Sequence, residues 1–68
     1  MDVVVYGVEE APPGFYILKD VEDLRRHLRR AFIVVVGDRW LAEELGAAYF
    51  TREEWGDFLR WYVGVHNL

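Results

Sequence analysis

Five consecutive apolar residues in the middle of the chain, Phe32 to Val36, constrain the fold more than any other feature of the sequence. The run shows none of the apolar–polar alternation of a strand that faces water on one side. It therefore predicts a central strand covered on both faces, either by the protein's own helices or by a second subunit. Gly37 and Asp38 follow the run and end the strand.

The length of the chain limits how such a strand can be covered. With 68 residues, the chain has room for one small domain over residues 1–68, and domains of this size are marginally stable. The absence of Cys excludes disulfides, whereas 53% of the residues are hydrophobic and three are Trp. We therefore expect stability to come from dense apolar packing, helped by self-association.

Two apolar segments before the central strand predict a β-hairpin. Asp2–Val8 and Phe15–Leu18 are rich in β-branched and aromatic residues, as strands are. Residues 9–14 between them include two Pro and a Gly, which are turn formers. Together with the central strand, a hairpin over residues 2–18 predicts a three-stranded sheet.

Two helices are predicted around the central strand. The first begins at Asp20 as N-cap and ends near Arg30, with acidic residues in its first turn and basic residues in its last. The second, Arg39–Leu45, lies between Asp38 as N-cap and Gly46 as a left-handed C-terminal stop.

A third helix is predicted at the end of the chain. Thr51 and Glu54 have the spacing of a capping box, and Phe50 and Trp55 that of a hydrophobic staple. Gly64 is expected to end this helix, which leaves residues 65–68 as a tail. The segment before it, Ala47–Phe50, is compatible with either a linker or an edge strand. The predicted class is therefore α+β: a small three-stranded sheet of hairpin, helix and strand, packed with a short helix and a C-terminal amphipathic helix.

The residue inventory argues against an enzyme. There is no Ser and no Cys, and Thr51 is assigned to the helix cap, so a covalent mechanism would depend on Lys19, a Tyr or a carboxylate. His27 and His66 are the only side chains that titrate naturally near neutral pH, and they are far apart in sequence. We predict no catalytic residue, no cofactor and no metal site, and keep an acid–base site around His27 as a minor alternative.

The strongest local charge lies in the first helix, at Arg25, Arg26, Arg29 and Arg30. Four Arg side chains can bind phosphates, so a nucleic-acid-binding regulator is the alternative function. The net charge of −4 and the ordinary preference for cations at a helix C-terminus favour a solvated helix face instead.

Trp40 and Trp61 fall on the flanks of their predicted helices, away from the apolar stripes. Aromatic side chains at the rim of a small core often contribute to interfaces. The favoured prediction is therefore a protein-interaction or regulatory module without catalytic activity. We expect it to be a homodimer, or to bind another protein, through an apolar patch that includes Trp40 and Trp61.

Composition also predicts where such a protein works. No apolar run approaches the roughly 18 residues that span a bilayer, and Met1–Val8 lacks the basic start of a signal peptide. We therefore expect a cytoplasmic protein without a membrane partner. Absence of Gln and Cys and the presence of one Asn predict a thermophilic source.

Overall fold

A computed structural model describes residues 2 to 66, and this part of the chain contains four strands and three helices. Every neighbouring pair of strands is parallel, and the strand order is β2-β1-β3-β4. The fold is therefore α/β. The predicted combination of one small sheet with packed helices is confirmed, whereas the predicted strand number of three and the hairpin pairing of the α+β arrangement are wrong. In chain order the elements are β1 Asp2–Tyr6, β2 Phe15–Leu18, α1 Val21–His27, β3 Ala31–Val36, α2 Arg39–Leu45, β4 Ala48–Phe50 and α3 Arg52–His66.

The predicted hairpin is replaced by a parallel pair, in which Val3 pairs with Phe15 and Tyr6 with Leu18. The chain leaves the carboxyl end of β1 and crosses back over the sheet to begin β2 at the amino end. The eight residues 7–14 can span up to about 26 Å when extended, which exceeds the roughly 16 Å length of a five-residue strand. This crossing carries no helix, and it is packed onto the sheet by Val8, Ala11 and the buried Pro12.

The segment Ala47–Phe50, which the sequence leaves compatible with a linker or an edge strand, contributes the strand β4. Ala48 pairs with Val34 and Phe50 with Val36, which places β4 at the edge of the sheet opposite β2. Gly37 extends this pairing, because its amide donates to the carbonyl of Phe50 over 2.9 Å. The short apolar segment therefore completes the sheet on the side where α3 begins.

The sheet has a separate core on each face, and helices cover both. On one face, α1 and α2 supply Leu24, Leu41 and Ala42; on the other, α3 supplies Trp55. The predicted central strand is confirmed: β3 is an interior strand of the sheet, and the protein's own helices cover it on both faces. Its fully covered part is Ile33–Val36, because the ring of Phe32 is 50% exposed.

The predicted caps are confirmed at all three helix starts. The carboxylate of Asp20 accepts from the amide of Glu22, and that of Asp38 accepts from the amide of Leu41. The capping box forms in both directions: Thr51 Oγ1 accepts from the Glu54 amide over 3.0 Å, and Glu54 Oε1 accepts from the Thr51 amide over 2.9 Å. The Phe50 and Trp55 rings lie 5.7 Å apart, as the staple predicts, and Gly46 has the predicted left-handed conformation.

Two predicted helix ends are wrong. The first helix ends at His27 instead of near Arg30, because Ala31 already belongs to β3 and residues 28–30 must turn the chain into that strand. At the other end of the chain, α3 continues through Gly64 to His66. Gly64 is outside the set of glycines with positive φ, so it does not make the left-handed stop that ends α2. The predicted tail residues Asn67 and Leu68 lie outside the described residues.

Removing the cap of α3 is expected to weaken this helix measurably. Replacing Thr51 by Ala deletes the hydroxyl acceptor and leaves the amide of Glu54 without its partner, so we expect a loss of about 1 kcal/mol of unfolding free energy. Urea denaturation followed by far-UV circular dichroism measures this loss. Thr51→Ser keeps the acceptor and is the control; equal losses in the two variants would contradict the role assigned to the hydroxyl.

Candidate interaction surface

The structure exposes both Trp residues that the sequence assigns to an interface, but it does not bring them together. Trp40 is 82% exposed on α2, and Trp61 is 60% exposed on α3. Since α2 and α3 pack on opposite faces of the sheet, the two indoles lie on opposite sides of the molecule. A single patch that includes both is therefore not formed within one copy of the chain.

The far end of α3 lies over the amino ends of the strands. The helix begins beyond the carboxyl end of β4 and runs back along the sheet. Near its far end, the ring of Tyr62 lies 6.4 Å from that of Phe15, the first residue of β2. Phe58 contacts the same ring at 6.1 Å and carries the Trp61 indole stacked on it at 6.0 Å. Trp61 is thus held by the aromatic core while most of its surface remains open.

The two flanks of α3 differ. On one flank, Leu59, Tyr62 and Val63 meet the loop at Pro12 and Pro13 around a groove of about 430 Å³. Trp61 projects from the other flank, and Val65, one turn further along, is on the same side and 46% exposed. The exposed apolar side chains of this second flank, Trp61 and Val65, do not line the groove at the Pro12–Pro13 loop.

Phe32 extends this apolar area onto the sheet. Side chains alternate along a strand, so Phe32 points to the same face as Val34 and Val36, the face that α3 covers. Phe32 lies at the amino end of β3, where α3 no longer covers this face of the sheet. Phe32 at the amino end of β3 and Trp61 and Val65 near the far end of α3 lie toward the same end of the sheet, and are here called the amino-end surface.

A shallow groove continues this surface around the end of the sheet. Its volume is about 240 Å³, and its walls come from the turn before β3 and from the residues between α2 and β4. Leu28, at the turn, is 39% exposed. Apart from backbone polar groups, the groove has an apolar lining of Leu28, Ala31, Phe32, Ile33, Leu45, Gly46, Ala47 and Ala48.

Sequence reasoning identified Trp61 but missed Phe32 and Val65. The sequence predicts a strand covered on both faces at Phe32 and a tail beyond the helix at Val65. The available signal for Val65 is its spacing of four residues from Trp61, which places both on one helix flank once the helix continues through Gly64.

The four Arg residues of the alternative function do not form one helix face. Arg25 donates to Glu44 over 2.8 Å and lies 3.9 Å from Glu22, while Arg26 lies 3.4 Å from Asp23. Hydrogen bonding to Glu44, with its charge, raises the pKa of Arg25 above its ordinary value. Arg29 and Arg30 lie beyond the end of α1, in the turn that leads into β3. Two of the four positive charges therefore already have acidic neighbours.

His27 is positioned by the backbone rather than by a carboxylate. Its Nδ1 lies 2.7 Å from the carbonyl oxygen of Asp23, and since a carbonyl only accepts, Nδ1 carries the proton. The Asp23 carboxylate is directed to Arg26 instead. His27 therefore contacts Asp23 through the main chain of Asp23; the side chain of His66 lies outside the described part.

Neither a membrane span nor a metal cluster is found within residues 2–66. No helix there is long and apolar enough to cross a bilayer, and no three His, Asp or Glu side chains are grouped as metal ligands.

Comparison of the chain with protein-family models, with curated proteins and with solved structures finds no match. The function of this chain is therefore inferred from its own residues.

Proposed function

We propose that the protein is a small interaction module, without catalytic activity of its own, that forms a symmetric homodimer through the amino-end surface. The observation that supports this is the exposure of Phe32 and Trp61, which are 50% and 60% exposed toward the same end of the sheet in a chain of 68 residues. Large aromatic side chains gain more from being covered than any other residue type.

The area of the amino-end surface indicates a weak dimer. A fully covered aromatic side chain buries on the order of 150–250 Å², so two half-exposed rings with Val65 and Leu28 offer roughly 300 Å² per copy. Two copies would bury about 600 Å² through these side chains alone, well below the roughly 1,600 Å² of a standard interface. Even with a polar rim added, the dissociation constant is expected to be micromolar or weaker.

The charge of the surface suits a second copy of the same chain. A two-fold interface brings each residue near its own equivalent region in the partner, so a patch of one charge sign would repel itself. Phe32, Trp61 and Val65 carry no charge. Next to them on α3, Arg60 is already paired with Asp57. Self-contact therefore brings no charge together among these three side chains, while Arg29 and Arg30 lie between Leu28 and Phe32 in the turn at the edge of the surface.

Nucleic-acid binding is less well supported by the geometry. The protein has a net charge of −4, and Arg25 and Arg26 already have acidic neighbours on the surface. Binding to phosphates would have to compete with these pairs, although exposed pairs of this kind contribute only about 0–1 kcal/mol each.

Replacing Trp61 is expected to weaken the dimer selectively. Trp61→Ser removes the largest ring of the amino-end surface, so the dissociation constant should rise at least about tenfold. Sedimentation velocity from micromolar to millimolar protein measures this change. Trp40→Ser is the matched control, because Trp40 is even more exposed but lies on the opposite side of the sheet.

The same series can overturn the proposal. Wild-type protein that remains monomeric to millimolar concentration would contradict self-association. An equal loss in Trp40→Ser and Trp61→Ser would place the interface somewhere other than the amino-end surface.

A further inference from the structure

A second surface feature lies at the opposite end of the sheet, where the parallel strands have their carboxyl ends. After β1, the chain passes to the face covered by α3, as the packing of Val8 and Ala11 shows. After β3, the adjacent strand, the chain enters α2 on the other face. Neighbouring strands whose connections leave to opposite faces open a crevice between them, and open α/β sheets bind ligands at this position.

Such a crevice is present in the described part of the chain, with a volume of about 420 Å³. The turns after β1 and β3 meet there at Gly7 and Gly37, both with positive φ. A side chain at Gly7 would overlap the carbonyl oxygen of Val36, so the two strand ends are in close contact. The volume lies in the range of small-ligand sites, which is about 300–1,000 Å³.

Four charged side chains line this crevice, and three of them, Glu9, Lys19 and Asp38, already have hydrogen-bond partners. Lys19 donates to Glu9 over 2.7 Å, and Asp38 Oδ1 accepts from the Leu41 amide over 3.0 Å as the cap of α2. The hydrogen bond from Lys19, with its charge, lowers the pKa of Glu9 and so favours the ionised carboxylate. The charges of Glu9 and Lys19 therefore compensate each other.

Arg52 is the exception. It is the first residue of α3, and its side chain lies across the turn at Gly37, where Nε would be 3.1 Å from an added Cβ. Within residues 2–66 its guanidinium has neither a hydrogen-bond acceptor nor an ion-pair partner. An Arg side chain presents five N–H donors in a planar fork that matches the oxygens of phosphate and carboxylate.

We infer that the crevice binds a small ligand through an oxyanion, a phosphate ester or a carboxylate, that is held by the guanidinium of Arg52 between the Gly7 and Gly37 turns. The remaining volume accommodates the uncharged part of such a ligand beside Tyr6 and Leu18. This site is at the other end of the sheet from the amino-end surface, so it is independent of the proposed dimer.

Amide chemical shifts in titrations of ¹⁵N-labelled protein with inorganic phosphate and, separately, with acetate test this inference. We expect saturable shifts centred on Gly7, Gly37 and Arg52 at millimolar anion. Arg52→Gln should weaken the binding about tenfold, as expected for loss of a charge-assisted contact. Arg60→Gln on the same helix is the control, because Arg60 is paired with Asp57 and does not line the crevice.

The two anions identify the ligand class and can refute the site. Tighter binding of phosphate assigns a phosphate ester, and tighter binding of acetate assigns a carboxylate. Shifts that are absent with both anions, or that persist unchanged in Arg52→Gln, would overturn the inference. The spectrum of each variant also reports whether its fold is intact.

Discussion

Replacement of Gly7 by Ala is expected to lower the free energy of unfolding by roughly 4 kcal/mol. Gly7 has a φ of 101°, which strains any residue that carries a Cβ. The added methyl would also overlap the Val36 carbonyl oxygen and approach its carbon to 3.3 Å. Both atoms belong to the backbone of the central strand, so they cannot move aside as a flexible side chain would.

Equilibrium unfolding in guanidinium chloride, followed by circular dichroism, measures this loss. Gly46→Ala is the matched control: Gly46 also has positive φ, at 66°, but nothing lies within 4 Å of its missing Cβ. Gly46→Ala should lower the free energy of unfolding by only about 1–2 kcal/mol, because backbone strain is the only cost of the added methyl group. Similar losses in the two variants would contradict the close contact between the ends of β1 and β3.

Replacement of Trp55 by Ala is expected to have a comparable effect, about 3–5 kcal/mol. Trp55 is 5% exposed, and its ring lies 5.2 Å from Phe58 and 5.7 Å from Phe50. Its Nε1 also donates to the carbonyl of Glu10 over 3.1 Å, which fixes the loop between β1 and β2. The substitution therefore opens a cavity and removes the partner of a main-chain carbonyl.

Two further variants separate these contributions in the same unfolding experiment. Trp55→Phe keeps an aromatic ring but removes the hydrogen bond and part of the packing. Loss of the hydrogen bond should lower the free energy of unfolding by about 1–2 kcal/mol, and the smaller ring by a further, lesser amount. Trp40→Ala, at an 82% exposed position, should change stability by less than about 0.5 kcal/mol. A loss in Trp55→Ala as small as that in Trp40→Ala would refute the placement of Trp55 in the core.

Local signals predicted the helices well and the strand pairing poorly. A cap depends on residues two or three positions apart, as Asp20 and Glu22 or Thr51 and Glu54 are, so the sequence alone is sufficient to place it. Whether residues 7–14 form a hairpin or cross the sheet depends on contacts far away in sequence. One of them is the hydrogen bond from Trp55 to Glu10, which joins residues 45 positions apart.

A signal for the parallel sheet was nevertheless present. Val3, Val4 and Val5 are consecutive β-branched residues without alternation, the same pattern that indicated a strand covered on both faces at Phe32–Val36. Strands that alternate with helices, as the segments after residue 15 do, are also typical of parallel sheets. The two Pro and the Gly between Glu9 and Gly14 are typical of a turn and favour a hairpin, whereas the other two patterns indicate parallel pairing.

The candidate sites were predictable to different degrees. The exposure of Trp61 follows from its position on the helix flank, which the sequence shows. The exposure of Phe32 does not follow from the sequence, because it depends on how much of the sheet α3 covers. Arg52 has an ordinary position in the first turn of a helix, and only the pairing of β3 with β4 brings it over Gly37.

Intermolecular nuclear Overhauser effects test the central proposal, self-association through the amino-end surface, most directly. A millimolar sample that mixes ¹³C-labelled and unlabelled protein should show contacts from the Val65 methyl groups of one copy to the Phe32 or Trp61 ring of another. Contacts restricted to the region of Trp40, or a complete absence of intermolecular contacts at this concentration, would contradict the proposal.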